Sequence, residues 1–293
     1  MSTYHAPVLL PEIVSYLDPK PGKRYIDATL GGGSYLGEIV RRGGVVLGID
    51  LDREAITHVR KEWTVDNGQL REGQDFVLVQ GNFRNIEDLA AEHGFHGVDG
   101  IVFDLGVSGH QFDTPERGFS IRFPESPLDM RLDPSEGTSA RDVLRRITEE
   151  ELYEIITRFG EEKRARTISH ALVRGRSVKR IETVGDLRNI IDKVTPAGER
   201  MDTYVRVFQA LRIYINDELT ALREGMIGAT NILRPGGILA VVSFHSLEDR
   251  IVKQHFLTKG FNVITKKPIV ADEKEIVLNR RARSAKLRVA EKL

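Results

Sequence analysis

Short runs of aliphatic and β-branched residues, each closed by a turn signal, recur along the chain: Tyr25 to Ala28, Val45 to Ile49, Phe76 to Val79, Val98 to Leu105 and Ile238 to Phe244. Runs of this length, bounded by glycine or acidic residues, predict strands buried on both faces. Helical patterns separate most of them. One helix is expected to open near Ser34 and another near Arg53, where Ala55, Ile56 and Val59 recur at helical spacing. This alternation predicts an α/β fold with a parallel sheet. Between Asp113 and Val205 the alternation stops and the sequence becomes helical and highly charged. Ser139 to Arg146, Glu149 to Phe159, Glu161 to Val173 and Val184 to Val194 each suit a helix, with Thr148 before Glu149-Glu150-Glu151 as a capping-box start. A further helix is expected from Val205 to Asn231, and Arg234-Pro235-Gly236-Gly237 predicts a tight turn into the last central strand. The pattern gives a core of residues 1–112 and 206–293 and an inserted, mainly helical domain of residues 113–205.

Composition narrows the chemistry. The 293 residues carry 43 basic and 43 acidic side chains, so a generally basic nucleic-acid binder is excluded while local basic patches remain open. The absence of cysteine removes disulfides, thiol catalysis and cysteine metal sites. His93 and His96 form the close histidine pair, in an expected loop, and no metal is expected. Pro7, Pro11, Glu12 and Asp18 interrupt the N-terminal apolar stretch, which does not read as a secretory signal, and Ile238 to Phe244 is too short to span a bilayer. A cytoplasmic protein without membrane association is expected.

The segment Asp27-Ala28-Thr29-Leu30-Gly31-Gly32-Gly33 follows the first strand, and the second ends at Asp50. Glycines after a first strand allow close backbone approach to a ligand, and an acid about 20 residues on, at the tip of the second strand, suits a ribose hydroxyl pair. The loop departs from G-x-G-x-x-G: Leu36 occupies the third glycine position and Asp27 precedes the others as D-x-x-x-G-x-G. Without an obvious pyrophosphate cradle, a nucleoside cofactor lacking phosphates is favoured. S-adenosylmethionine is the commonest on this fold. Simple turn-forming glycines are the competing reading. Phe83 sits where an aromatic edge can pack on adenine, or belongs to the core. Asp104 closes the fourth strand, at the expected crevice, but lacks the D/N-P-P-Y prolines usual in enzymes that methylate exocyclic amines; capping the next segment is its plainer role. Ser243 and His245 lie on one short loop with no G-x-S-x-G elbow, so Ser246 is read as a helix start, with Phe244 and His245 at the rim. Two basic runs, Lys163 to Arg180 and the tail from Lys266 through Arg280, Arg281, Arg283, Lys286 and Arg288, suit either phosphate contact or solvated surface.

Motifs run along nearly the whole chain: His5-x-Pro7-Val8-Leu9-Leu10, the Asp27 to Leu36 loop, Asp104-Leu105-Gly106-Val107-Ser108, Arg117-Gly118-Phe119-Ser120, Pro127-Leu128-Asp129-Met130-Arg131, Phe208-Gln209-Ala210-x-Arg212-Ile213, Ser243 to Lys253 and Arg281-Ala282-Arg283-Ser284. With these motifs the chain strongly resembles the bacterial 16S ribosomal RNA cytosine N4-methyltransferases, the MraW family. The resemblance implies a Rossmann-like methyltransferase sheet. It implies S-adenosylmethionine held by Gly33, Ser34, Tyr35, Asp50, Phe83, Asp104 and Gln111, and Asp104 and His245 as candidate catalytic residues. The implied partner is 16S ribosomal RNA or the small ribosomal subunit, and the implied reaction is methyl transfer to cytidine N4. Family members commonly carry Gly-Gly-His at Gly33-Ser34-Tyr35, Ser-Ser-Pro-Gln at Ser108-Gly109-His110-Gln111, and threonine at Val207. An RNA-binding assembly factor with a retained cofactor pocket, or a methyltransferase of another macromolecule, is the alternative; the oligomeric state stays open.

Overall fold

The computed structural model describes residues 7–65, 70–258 and 260–293, so His5 of the N-terminal motif lies outside the described residues. The chain divides into two units, Met1–Ser108 with Leu219–Leu293, and Gly109–Glu218.

In the first unit, helix α1 (Leu10–Leu17) buries Ile13, Val14 and Leu17 and stops at Asp18, whose φ of 42° leaves the helical region. Then follow β1 (Arg24–Asp27), α2 (Ser34–Arg41), β2 (Val45–Asp50), α3 (Arg53–Val65), β3 (Phe76–Gln80), α4 (Ile86–Glu92) and β4 (Val98–Asp104). The first four expected strands thus stand within one residue of their predicted ends. Strands β1 to β4 are parallel, with Asp27 level with Gly48 of β2 and Val102 of β4. Helices α2 and α3 approach closely because Gly37 has no Cβ: one placed there would sit 2.3 Å from the Trp63 ring.

The second unit runs through α5 (Gly109–Asp113), α6 (Ala140–Arg146), α7 (Glu149–Gly160), α8 (Ala165–Val178), α9 (Val184–Val194) and α10 (Arg200–Asn216). Thr148 and Thr183 close capping boxes with Glu151 and Asp186, satisfying N–H groups that have no partner inside a helix. Leu152, Ile156, Ile168, Leu172, Leu187, Ile191, Val207 and Leu211 form buried apolar stripes on four helices. Gly160 admits the Arg206 carbonyl, which would lie 2.7 Å from a Cβ there.

Two helix boundaries differ from expectation for the same reason. Glu161 adopts φ 49° and closes α7, so α8 begins four residues later than predicted and runs on to Val178. Asp217 adopts φ 48° and splits the single helix expected from Val205 to Asn231 into α10 and α11 (Glu218–Ile232). Because α10 is continuous across 205/206 and packs on α7, the second boundary falls at Glu218/Leu219 rather than 205/206. The first falls at Ser108/Gly109 rather than 112/113.

The chain then returns to the first unit's sheet through β5 (Leu233–Ser243), α12 (Ser246–Phe256), β6 (Phe261–Val263), α13 (Glu273–Leu278) and β7 (Lys286–Lys292). Strand β5 pairs parallel with β4, but Val98 faces Leu233 while Gly100 faces Ile238. The Arg234-Pro235-Gly236-Gly237 turn is therefore a bulge inside β5, anchored by Arg234 Nε 2.6 Å from Asp99. Among the described residues the sheet has seven strands in the order β3-β2-β1-β4-β5-β7-β6, with β7 antiparallel to both neighbours. Strand order reverses between β1 and β4, which places a crevice beyond their carboxyl ends.

Strands β6 and β7 correct the reading of the C-terminal tail as a basic surface run. Arg288 is buried in β7 and makes a two-point ion pair with Asp249 at 2.6 and 3.1 Å. Lys292 Nζ donates to the carbonyls of Thr230 and Leu233, and Arg281 donates to the Val107 carbonyl. These cations hold the hairpin to the core. Arg288→Ala leaves Asp249 without its partner, and loss of one member of a largely buried pair costs about 3 kcal/mol. Urea unfolding is expected to show a loss of that order, whereas a change below about 1 kcal/mol would mark the pair as a surface one.

Candidate active site

Three carboxylates stand at the carboxyl ends of neighbouring strands: Asp50 on β2, Asp27 on β1 and Asp104 on β4. The loop after β1 folds back among them. Leu30 N–H donates to the Ile49 carbonyl at 2.8 Å and Gly31 N–H donates to Asp50 Oδ2 at 2.8 Å. Gly31 and Gly33 take φ of 48° and 74°, the left-handed region open to glycine. Gly33 also meets α3, since a Cβ there would lie 3.0 Å from Val59. The glycine is required by the turn and by helix packing. Ser34 follows as the first residue of α2, half-buried.

Asp27 is fully buried and accepts the N–H groups of Thr29 at 3.4 Å and Leu36 at 3.2 Å. Burial pushes its carboxyl up to about 7; those two hydrogen bonds oppose the shift, and the charges of Asp104 and Asp50 add to it. Asp50 accepts Gly31 and Asp52 N–H groups, one on each oxygen, at 2.8 Å.

Asp104 is buried, and its own N–H donates to Thr29 Oγ1 at 2.6 Å. Tyr35 reaches it from α2. The phenol oxygen accepts Val8 N–H at 3.2 Å and has one hydrogen to share between the Val8 carbonyl at 2.6 Å and Asp104 Oδ2 at 3.3 Å. Burial, then the Asp104 charge, raises the Tyr35 pKa well above its usual value, so the phenol is neutral. Tyr35 is thus turned inward, joining the segment before α1 to the rim of β4. Phe83 opens a single 3-10 turn after β3, half-buried, with its ring edge-on to Phe103 at 5.5 Å. Gln111 lies in the second unit, buried on α5.

Ser246 opens α12 as expected, and His245 caps it. Its Nδ1 accepts Glu248 N–H at 3.4 Å, Nε2 lies 3.2 Å from Glu248 Oε1, and Glu248 Oε2 accepts the N–H groups of Phe244 and His245. Both ring nitrogens therefore face Glu248, and the imidazole fixes the turn that presents half-buried Phe244. Glu248, Thr29 and Val8 were not singled out from sequence. The first had a visible signal, a glutamate three residues after a polar cap position; the other two act through contacts 75 and 27 residues away.

The family model described as the MraW methylase family matches residues 2–293. The chain belongs to that family. It is 43% identical to Ribosomal RNA small subunit methyltransferase H of Carboxydothermus hydrogenoformans, covering 100% of this chain and 99% of that protein. The protein of the same name from Deinococcus radiodurans is 46% identical, over 98% of this chain and 89% of the other. Among solved structures, TrmN from Thermus thermophilus aligns over 97% of this chain and 48% of that one, with 14% identity and a TM-score of 0.46.

The methylase is an S-adenosylmethionine-dependent methyltransferase. Its rim fits such a group: the Asp50 carboxylate at the end of β2 suits a diol, half-buried Phe83 stands just after β3, and the Asp27 to Gly33 segment contains no basic side chain to meet a phosphate.

The titration of Asp27 is testable. A folded-state value of about 7, above the ordinary 3.8, means that the folded state holds the proton more tightly. Its contribution is fully present below 3.8 and is lost as pH rises to about 7. The stability difference between the wild type and Asp27→Asn, from urea unfolding at fixed ionic strength, is expected to shift against the wild type across pH 4 to 7 and then level. A difference independent of pH would place Asp27 in the ordinary carboxylate range.

Proposed function

We propose that this methylase transfers a methyl group to the exocyclic N4 of a cytidine in the 16S RNA of the small ribosomal subunit. The observation that supports this most directly is Asp104. A carboxylate fixed at the end of β4 by Thr29 and Tyr35 is a pre-set acceptor for the hydrogens of an aromatic amino group. The substrate class follows the relatives named above, whose identity extends over nearly all of both chains.

When bound, S-adenosylmethionine supplies a methyl group already activated on a sulfonium. The protein's work is to hold and orient. In this reading Asp50 receives the ribose hydroxyls, Phe83 lies against the adenine, and the loop at Gly33 and Ser34 passes close to the cofactor, with Tyr35 anchored behind it on Val8. Asp104 accepts an N–H from the amino nitrogen, whose lone pair is otherwise drawn into the pyrimidine ring. Holding that hydrogen favours the nucleophilic geometry and offsets the positive charge that grows on nitrogen as the new C–N bond forms. The proton released afterwards leaves along the same hydrogen bond. His245 acts by shaping the turn that carries Phe244, a stacking face for a base drawn out of its helix.

The test is methyl transfer from labelled S-adenosylmethionine to unmethylated small subunits and to naked 16S RNA, with nucleoside analysis. Label in N4-methylcytidine is expected; label in another nucleoside, or in neither RNA, would overturn the reading. Asp104→Ala is expected to lower the transfer rate by about 10²–10³-fold with the fold intact by circular dichroism, and near-normal turnover would remove Asp104 from its role. Asp50→Ala is expected to weaken cofactor binding by about tenfold or more, the loss of hydrogen bonds to a charged group. Unchanged affinity by calorimetry would count against the ribose contact.

A further inference from the structure

The basic run from Lys163 to Arg180 is not a uniform charged surface. Arg164 pairs with Glu199, Arg166 with Glu150 while lying over the Tyr153 ring, and Lys179 with Asp186. These contacts tie the helices of the second unit together. Arg180 is different: it is exposed on the segment after α8 and makes no hydrogen bond or ion pair among the described residues. It lines a cavity of about 190 Å³ between α6 and the end of α8. Arg141, from the first turn of α6, lines the same cavity, and its side chain likewise has no hydrogen bond or ion pair within 4 Å among the described residues.

Two further guanidiniums complete the wall. Arg176 donates to the carbonyls of Leu144 and Ile147 at 2.5 and 2.7 Å. Those carbonyls form the negative end of α6 and would otherwise repel an anion; Arg176 covers them. Arg145 is held between Asp142 and Glu182 at 3.3 and 3.1 Å, so the one carboxylate lining the cavity, Glu182, is already paired. Two arginines thus neutralise the local negative groups, leaving two uncommitted. The floor is apolar, from buried Leu144 and Ile181.

We infer that this cavity is a phosphodiester-binding site of the second unit, in which Arg141 and Arg180 clasp one backbone phosphate of the RNA substrate and Leu144 and Ile181 receive the adjoining ribose. The guanidinium fork matches two phosphate oxygens at once, which a lysine ammonium does not. The inference rests on the proposed RNA substrate for the identity of the ligand, but its geometry belongs to the second unit alone.

The experiment compares the wild type, the double variant Arg141→Ala with Arg180→Ala, and Arg166→Ala, whose guanidinium belongs to the same basic run but is already paired. Binding of unmethylated 16S RNA is measured over a salt series, with thermal melts to confirm folding and methyl transfer assayed in parallel. The double variant is expected to bind RNA at least about tenfold more weakly, and its slope of log affinity against log salt is expected to fall by roughly 0.7, one single-strand phosphate contact. Arg166→Ala is expected to leave that slope unchanged. Wild-type affinity and slope in the folded double variant overturn the site, and so does an equal loss in Arg166→Ala, which would signify a diffuse field. If the double variant does not fold, exposed Arg180→Ala alone carries the same expectation of a lowered slope. Methyl transfer to RNA with cavity-independent binding defeats this inference and leaves the proposed function standing. Cavity-dependent RNA binding without transfer defeats the proposed function and leaves this inference standing. A wild type that does not bind RNA defeats both.

Discussion

Everything at the rim of the first unit depends on placing three carboxylates at the ends of β2, β1 and β4 inside one small region. Like charges that close raise one another's pKa, and burial raises it further. The structure answers with backbone N–H groups. Gly31 and Asp52 donate to Asp50, and Thr29 and Leu36 donate to Asp27. That requirement dictates the loop after β1: it must fold back sharply enough to aim its N–H groups at two strand ends, which takes left-handed glycines at 31 and 33. It must also enter α2 directly, so that Leu36 N–H and the Tyr35 phenol arrive on the buried side. Burial pushes the Asp27 carboxyl up to about 7, and the charges of Asp104 and Asp50 add to that shift. In the proposed reading, the ribose acceptor Asp50 and the amine acceptor Asp104 are linked through the loop of six residues between β1 and α2.

The second unit solves a different charge problem. Its helices carry many arginines, and most are satisfied in ways that build the unit: Arg206 with buried Glu162, Arg212 with Glu218, Arg188 over Tyr204 and donating to the Ile121 carbonyl. A neutral total charge conceals this distribution. What distinguishes a ligand-facing arginine is the absence of an internal partner together with a cavity to point into, and neither is visible in a count of basic residues.

The fold was largely legible because the governing signals were local. Four buried parallel strands announce themselves as unbroken apolar runs, and the starts of α7 and α9 are written in Thr148 with Glu151 and Thr183 with Asp186. Helix ends were harder: Glu161 and Asp217 adopt left-handed conformations without being glycine, so the periodicity runs past them unmarked. The C-terminal hairpin was missed because Arg288 was read within a basic run, as phosphate contact or solvated surface, and only the fold brings Asp249 beside it. At the rim, Asp50 and Asp104 were readable from strand ends. The roles of Thr29 and Val8 were not, since each acts on a residue distant in sequence. The capping role of His245 was not read from sequence: its Nδ1 accepts the Glu248 N–H and its Nε2 lies 3.2 Å from Glu248 Oε1.

Tyr35 shows how a departure at one position changes the character of the site. The resemblance places a histidine there, a side chain whose charge changes near neutral pH. Beside Asp104 an imidazolium would stabilise the carboxylate at low pH and cease to do so as it lost its proton. The phenol reaches Asp104 Oδ2 and the Val8 backbone from a fully buried position, and burial drives its ionisation far from the working range. It supplies a fixed, uncharged hydrogen-bonding group. The electrostatics at the end of β4 then rest on the aspartates themselves, and positional restraint on Asp104 comes from the segment before α1 rather than from a charge.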